Sequence, residues 1–199
     1  MRTTSLGRAL LVAVVVFAAA CHDAAPADDA VVDQSSIASA TSVPAATVGP
    51  NPDVVRPVGF STITARIIEV DGDVCEVCVW LADTSDERRR GLMGVTDLGD
   101  AVGMVFRFDE PVGDRFYMLN TPTPLSIAWF APGGEYVAST DMEPCLEEPE
   151  GGGPMYGPGT IYDLALEVFR GDLDDLGVGP GARLELVAGT EADRCPASS

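Results

Sequence analysis

The sequence predicts a mainly β fold: a compact barrel-like or sandwich domain of short antiparallel strands with one or two short helices. Three observations carry that prediction. Short runs of apolar and β-branched residues recur from about residue 60 to residue 190, several of them strictly alternating, and alternation is the mark of a half-buried strand. Turn-forming Asp-Gly and Pro-Gly steps separate the runs, as hairpin connections require. A single strong helix-start signal, at Thr84, interrupts them, and many strands with little helix lead to a sheet that packs on itself.

In chain order, Arg2 and Arg8 precede the uncharged run Ala9 to Ala20, which ends at Cys21. A charged start, a short apolar stretch and a small-residue end make residues 1–20 a secretory signal, too short to span a bilayer comfortably. Ala18-Ala19-Ala20-Cys21 looks like the lipobox of bacterial lipoproteins, so Cys21 is the expected lipid attachment site, with plain secretion as the alternative. Residues 21–59 are Ala, Pro, Ser and Asp-rich without sustained periodicity. Such a segment buries too little apolar surface to offset its ordering entropy and reads as a disordered tether. The β domain is expected over residues 60–190, with residues 191–199 as a tail. The expected location is the extracytoplasmic side of the cell envelope, touching membrane only through the anchor.

Within the domain, residues 63–70 and 74–81 flank Asp71-Gly72-Asp73 and read as a hairpin. Thr84 and Glu87 have capping-box spacing, each side chain able to accept the other's backbone amide, so a short helix starts there. It carries Arg88, Arg89 and Arg90, which at about 100° per residue cannot share a face, so at least one turns toward the protein body. Gly91 and Gly94 weaken the helix, and Leu92 and Met93 anchor it. Met104, Phe106 and Phe108 alternate with Val105 and Arg107, predicting a strand with one apolar face, and Phe116 and Met118 repeat the pattern. Pro122 and Pro124 exclude helix beyond Asn120 and Thr121. Residues 125–130 and 135–139 flank Pro132-Gly133-Gly134 as a second hairpin. After a Gly/Pro-rich loop at 151–159, residues 161–169 place Leu164, Leu166 and Val168 on one side of a strand. Residues 172–176 allow a helical turn, and residues 182–187 give the last strand.

Thr84, Glu87, Arg88, Gly91, Leu92 and Met93, then Gly103, Met104, Phe106 and Phe108, then Phe116, Met118, Asn120, Thr121, Pro124 and Leu125 resemble the motifs of a bacterial and archaeal family, the domain of unknown function 192. The resemblance spans roughly residues 60 to 188 and departs at Tyr117, where the family usually has Trp, and at Ser126, where it usually has an acidic residue. It implies a compact, mainly β, barrel-like domain and no settled activity.

Composition removes whole mechanisms. The chain has 12 cationic Lys or Arg side chains, all of them arginine, and a single histidine, His22, which falls in the tether. Schiff-base chemistry, a P-loop lysine, a Ser-His-Asp or Cys-His catalytic arrangement and a histidine-ligated metal site are thereby excluded from the domain. A formal net charge of -19 repels phosphate backbones and anionic lipid surfaces, so no nucleic-acid partner is expected.

Arg90, Asn120, Thr121 and Asp141 are the candidate ligand-binding residues, able to supply a bidentate cation and directional hydrogen bonds to a small molecule or envelope component; an ordinary structural role for each is the competing reading. Tyr117, Trp129, Tyr136, Tyr156 and Tyr162 can stack on sugar rings or pack in the core. Asp141 and Glu143, two apart on one strand side, form the carboxylate pair a hydrolase of envelope substrates would use. A structural or assembly role is the third alternative. No catalytic residue, metal site or cofactor is assigned; Asp141, Glu143, Glu147, Glu148 and Glu150 lack EF-hand spacing. Cys75, Cys78, Cys145 and Cys195 form the candidate disulfide set of an exported chain. Cys75 and Cys78 lie three apart in a strand, too far for a local bridge, and at least one bridge tying the C-terminal segment down is expected.

Overall fold

A computed structural model describes residues 54–147 and 153–187. The expected signal segment, Cys21, His22, most of the expected tether, Glu148, Glu150 and Cys195 lie outside the described residues. The elements run β1 (Ser61–Ile68), β2 (Val74–Ala82), α1 (Ser85–Arg90), β3 (Gly103–Val112), β4 (Leu125–Phe130), β5 (Tyr136–Met142), β6 (Tyr162–Phe169), α2 (Asp172–Asp175) and β7 (Arg183–Leu186). They form one seven-stranded sheet in the order β5-β4-β6-β3-β2-β1-β7, a mainly β, barrel-like arrangement as the alternation predicts.

The sheet is mixed rather than wholly antiparallel. β1 and β2 form the expected hairpin, with Ser61 opposite Leu81 and Ile68 opposite Val74. β2 and β3, however, pair in parallel, with Val79 opposite Gly103 and Ala82 opposite Phe106. Parallel neighbours need a crossover of a dozen or more residues rather than a tight turn. Here the crossover is the chain from Ala82 to Gly103, which contains α1. The second departure concerns Phe116 and Met118, expected in a strand. Phe116 makes only an isolated bridge to Tyr156, because the residues around it serve as a loop across the sheet face.

The sheet curls until its outer strands touch at one place without closing along their length. The Tyr136 amide donates to the Ala182 carbonyl at 3.0 Å and the Leu184 amide to the Gly134 carbonyl at 2.9 Å. Gly134 permits this approach, since its φ is +88° and a Cβ there would stand 2.3 Å from the Leu184 carbonyl oxygen.

Two apolar clusters result, one on each side of the sheet. The interior cluster takes Ile67, Val79, Val105, Phe130, Leu166 and Leu184 from the strands and Leu173 and Leu176 from the α2 region. The second lies between the outer face of β3, β4 and β6 and the crossover, where Leu92, Val95 and Leu98 cover Met104, Ile127 and Trp129. β3 therefore has two apolar faces at its start, where alternation predicted one, because Val105 points into the interior and Met104 and Phe106 into the covered face.

Candidate functional site

The crossover is built to stay closed on the sheet. Thr84 and Glu87 form the full capping box, with the Thr84 hydroxyl accepting from the Glu87 amide at 3.2 Å and Glu87 accepting from the Thr84 amide at 3.0 Å. Those Thr84 hydrogen bonds hold the Glu87 carboxyl below the usual range. Gly91 ends the helix at φ +44°, and a Cβ there would press on the Phe106 ring at 3.2 Å. Three bonds pin the remaining loop: the Gly94 amide to the Asn120 carbonyl at 2.7 Å, the Thr123 hydroxyl to the Val95 carbonyl at 3.1 Å and the Trp80 indole to the Leu98 carbonyl at 2.9 Å.

Between α1, the loop before β4 and the sheet lies a cavity of about 360 Å³, the size range of small-ligand sites. Its walls are apolar and aromatic. Phe106 and Phe116 meet edge to face with centroids 5.0 Å apart, and Phe116 stands 6.3 Å from the Tyr162 ring. The Tyr162 hydroxyl donates to the Asp114 carbonyl at 3.0 Å, and burial pushes its phenol far above the ordinary value. Tyr117 closes one side, its hydroxyl donating to the Arg89 carbonyl at 3.3 Å.

Arginines line the same cavity, in contrast to the acidity of the chain. Arg88, Arg90 and Arg115 contribute to it, and among the described residues none of the three has a carboxylate partner. Arg88 donates to the Arg107 carbonyl at 2.8 Å and to the Asp83 carbonyl, and its guanidinium lies 4.8 Å from the Phe108 ring centroid. Arg90 lies 4.2 Å from that of Phe60. Among the described residues, the arginines outside the cavity pair with carboxylates: Arg56 with Asp97, Arg66 with Glu76, Arg107 with Asp83, Arg170 with Glu143 and Arg183 with Glu135.

Glu167 of β6 completes the lining. It sits at the centre of the covered face, paired across the sheet with Met104 of β3 and Ile127 of β4. Only 4% of it is exposed. Burial among apolar neighbours raises its carboxyl to about 8, with no hydrogen bond or neighbouring charge opposing, so at neutral pH the group is largely protonated.

Of the four residues singled out by sequence, Arg90 and Thr121 line this cavity, while Asn120 and Asp141 are not among its lining residues. Asn120 adopts φ +59°, a left-handed conformation that asparagine tolerates, and its carbonyl is the anchor for the crossover. Asp141 accepts from the Ser126 hydroxyl at 2.6 Å. Together with Glu143 it surrounds Arg170, at 3.7 Å and 2.9 Å. The two carboxylates thus form an ion-pair cluster on the surface and do not line the cavity. Of the aromatic candidates, Trp129 and Tyr162 are buried core residues and Tyr136 packs edge to face on Phe130.

One of the four candidate disulfide cysteines needs a correction. Cys145 is a free thiol, its Sγ directed at the Glu147 carbonyl at 3.1 Å, so it leaves the expected disulfide set. Cys75 and Cys78 occupy an unbroken strand opposite Ile67 and Thr64, Cys75 in the interior cluster and Cys78 half-buried.

Residues 66–186 match the profile of DUF192, a family described as uncharacterised. Two solved structures share the fold. A protein from Sinorhizobium meliloti 1021, described as a candidate transcription regulator, is 28% identical, with a TM-score of 0.55 over 65% of this chain and 97% of its own. A protein of unknown function from Novosphingobium aromaticivorans DSM 12444 is 25% identical, with a TM-score of 0.53 over 66% of this chain and 90% of its own. No curated protein matches the chain.

Proposed function

Since the chain belongs to the DUF192 family, for which no activity is described, we propose from the site itself that the domain binds a small organic anion in the cavity beneath α1. The observation that carries this reading is the distribution of arginine partners. In a chain of formal charge -19, carboxylates are abundant, yet among the described residues Arg88, Arg90 and Arg115 pair with none, and the three share one cavity. A guanidinium left without a counter-charge beside aromatic walls suits the carboxylate or phosphate of a ligand whose body is apolar. The hydrolase alternative is less favoured, because Asp141 and Glu143 both pair with Arg170 and neither lines the cavity. The regulator description belongs to the Sinorhizobium protein, and this chain's charge argues against DNA contact. We also propose export and lipid anchoring through Cys21, on the signal pattern alone.

The binding test is thermal shift and calorimetry of the full chain with benzoate-type carboxylates and phenyl phosphate at low salt. A ligand that prefers the native state must raise its stability. Arg90→Ala and Arg115→Ala are each expected to weaken such binding about tenfold or more, the equivalent of one charge-assisted hydrogen bond. Binding that is indifferent to both substitutions would place the site elsewhere.

A further inference from the structure

A binding pocket for an anion has no use for a carboxyl group on its lining unless that group plays a separate part. An ionised carboxylate would repel the ligand the arginines attract. Glu167 nevertheless lines the cavity, held between Met104 and Ile127 in the middle of a three-strand face. The sheet supplies it no hydrogen-bond partner, and the residue is buried apart from the part that meets the cavity. An apolar residue would pack that position at lower cost, since a buried polar group without a partner costs free energy.

We infer that Glu167 is a ligand-binding residue that donates a hydrogen bond from its protonated carboxyl. The ligand class is therefore narrower than organic anions in general: an aromatic or similarly apolar acid whose anionic end meets the arginines and whose other end carries a neutral acceptor, such as a carbonyl or ether oxygen. The inference rests on the anion-binding reading above and extends it to the second end of the ligand.

The surroundings of Glu167 fit a donor. β3 and β4 present Met104 and Ile127 to it, neither of which titrates. Across the cavity stand Arg88, Arg89 and Arg90 of α1, with Asp114, Arg115 and Tyr162. Asp114 offers its carbonyl to Tyr162, and Arg89 is engaged by Asp86. Burial is what raises the Glu167 carboxyl, and a ligand oxygen accepting its proton stabilises the neutral form further. As the pH rises past the point where Glu167 ionises, the donor disappears and a negative charge takes its place.

The experiment compares two carboxylates of nearly equal shape, 4-acetylbenzoate, which has a carbonyl opposite its anion, and 4-isopropylbenzoate, which does not. Calorimetry of the full chain at about pH 6 is expected to favour the acetyl probe by about tenfold, one hydrogen bond's worth of discrimination. That preference should vanish near pH 9.5 in the wild type and at every pH in Glu167→Ala. In Glu167→Gln, whose amide donates without titrating and preserves shape, it should persist at both pH values. A preference that ignores pH and both Glu167 substitutions, while Arg90→Ala still weakens both probes, overturns the donor role and leaves anion binding standing. If neither probe binds the wild type, the anion reading itself falls and this inference with it.

Discussion

Glu167 shows how a single residue escapes a correct strand assignment. Alternation places Leu164, Leu166 and Val168 on one side of β6, which leaves Glu167 on the side ordinarily given to solvent. That side is buried here because the crossover lies on it. The available signal was Ala165 and Phe169 flanking the glutamate, an apolar pair at positions expected to be polar. The misplacement has a thermodynamic consequence. The folded carboxyl titrates near 8 and an unperturbed one near 4.5, so between those values the native state holds a proton the unfolded chain has released. Stability from this group is therefore fully present below about pH 4.5 and is lost as pH rises through about 8. Denaturant unfolding across that window should show a decline on the order of a few kcal/mol, absent in Glu167→Gln. Parallel curves for the two proteins would mean that the carboxyl is solvated in the native state.

At the scale of elements, the local signals were sufficient and the long-range ones were not. The hairpin of β1 and β2, the Thr84 cap and β4 stand where turn chemistry and capping place them. The parallel pairing of β2 with β3 left no mark in either strand, because register between distant segments is settled by what the crossover can bury. The same gap explains the site: Arg90 and Thr121 converge, whereas Asn120 and Asp141 are drawn into structural bonds whose partners lie far along the chain. α1 has no buried residue of its own, so its cap matters more than it would in a packed helix. Thr84→Ala should lower stability by about 1 kcal/mol and, by loosening the segment that carries the arginines, weaken the carboxylate probes as well. Denaturant midpoints and calorimetry check the two effects separately; lost stability with unchanged probe affinity would show that the cavity does not depend on the helix start.

For the whole molecule, composition excluded more than it identified. With no lysine in the chain and its one histidine at position 22, the domain was confined to the chemistry of arginine, carboxylates and aromatic rings, and its cavity sets all three among apolar side chains. The proposed anchor belongs to this scale too. Cys21→Ser should move the protein from the membrane to the soluble extracytoplasmic fraction, and a wild type already soluble there would end the lipid assignment. The touching of β5 and β7 bears on how the molecule breathes. A few main-chain bonds around Gly134 fasten those outer strands, whereas the central strands are laddered on both sides. Local opening is easiest where the fewest bonds must break. Such an opening parts the barrel wall and wets the interior cluster, on the opposite side of the sheet from the cavity, so transient exposure of the core and occupancy of the site are separable events in this fold.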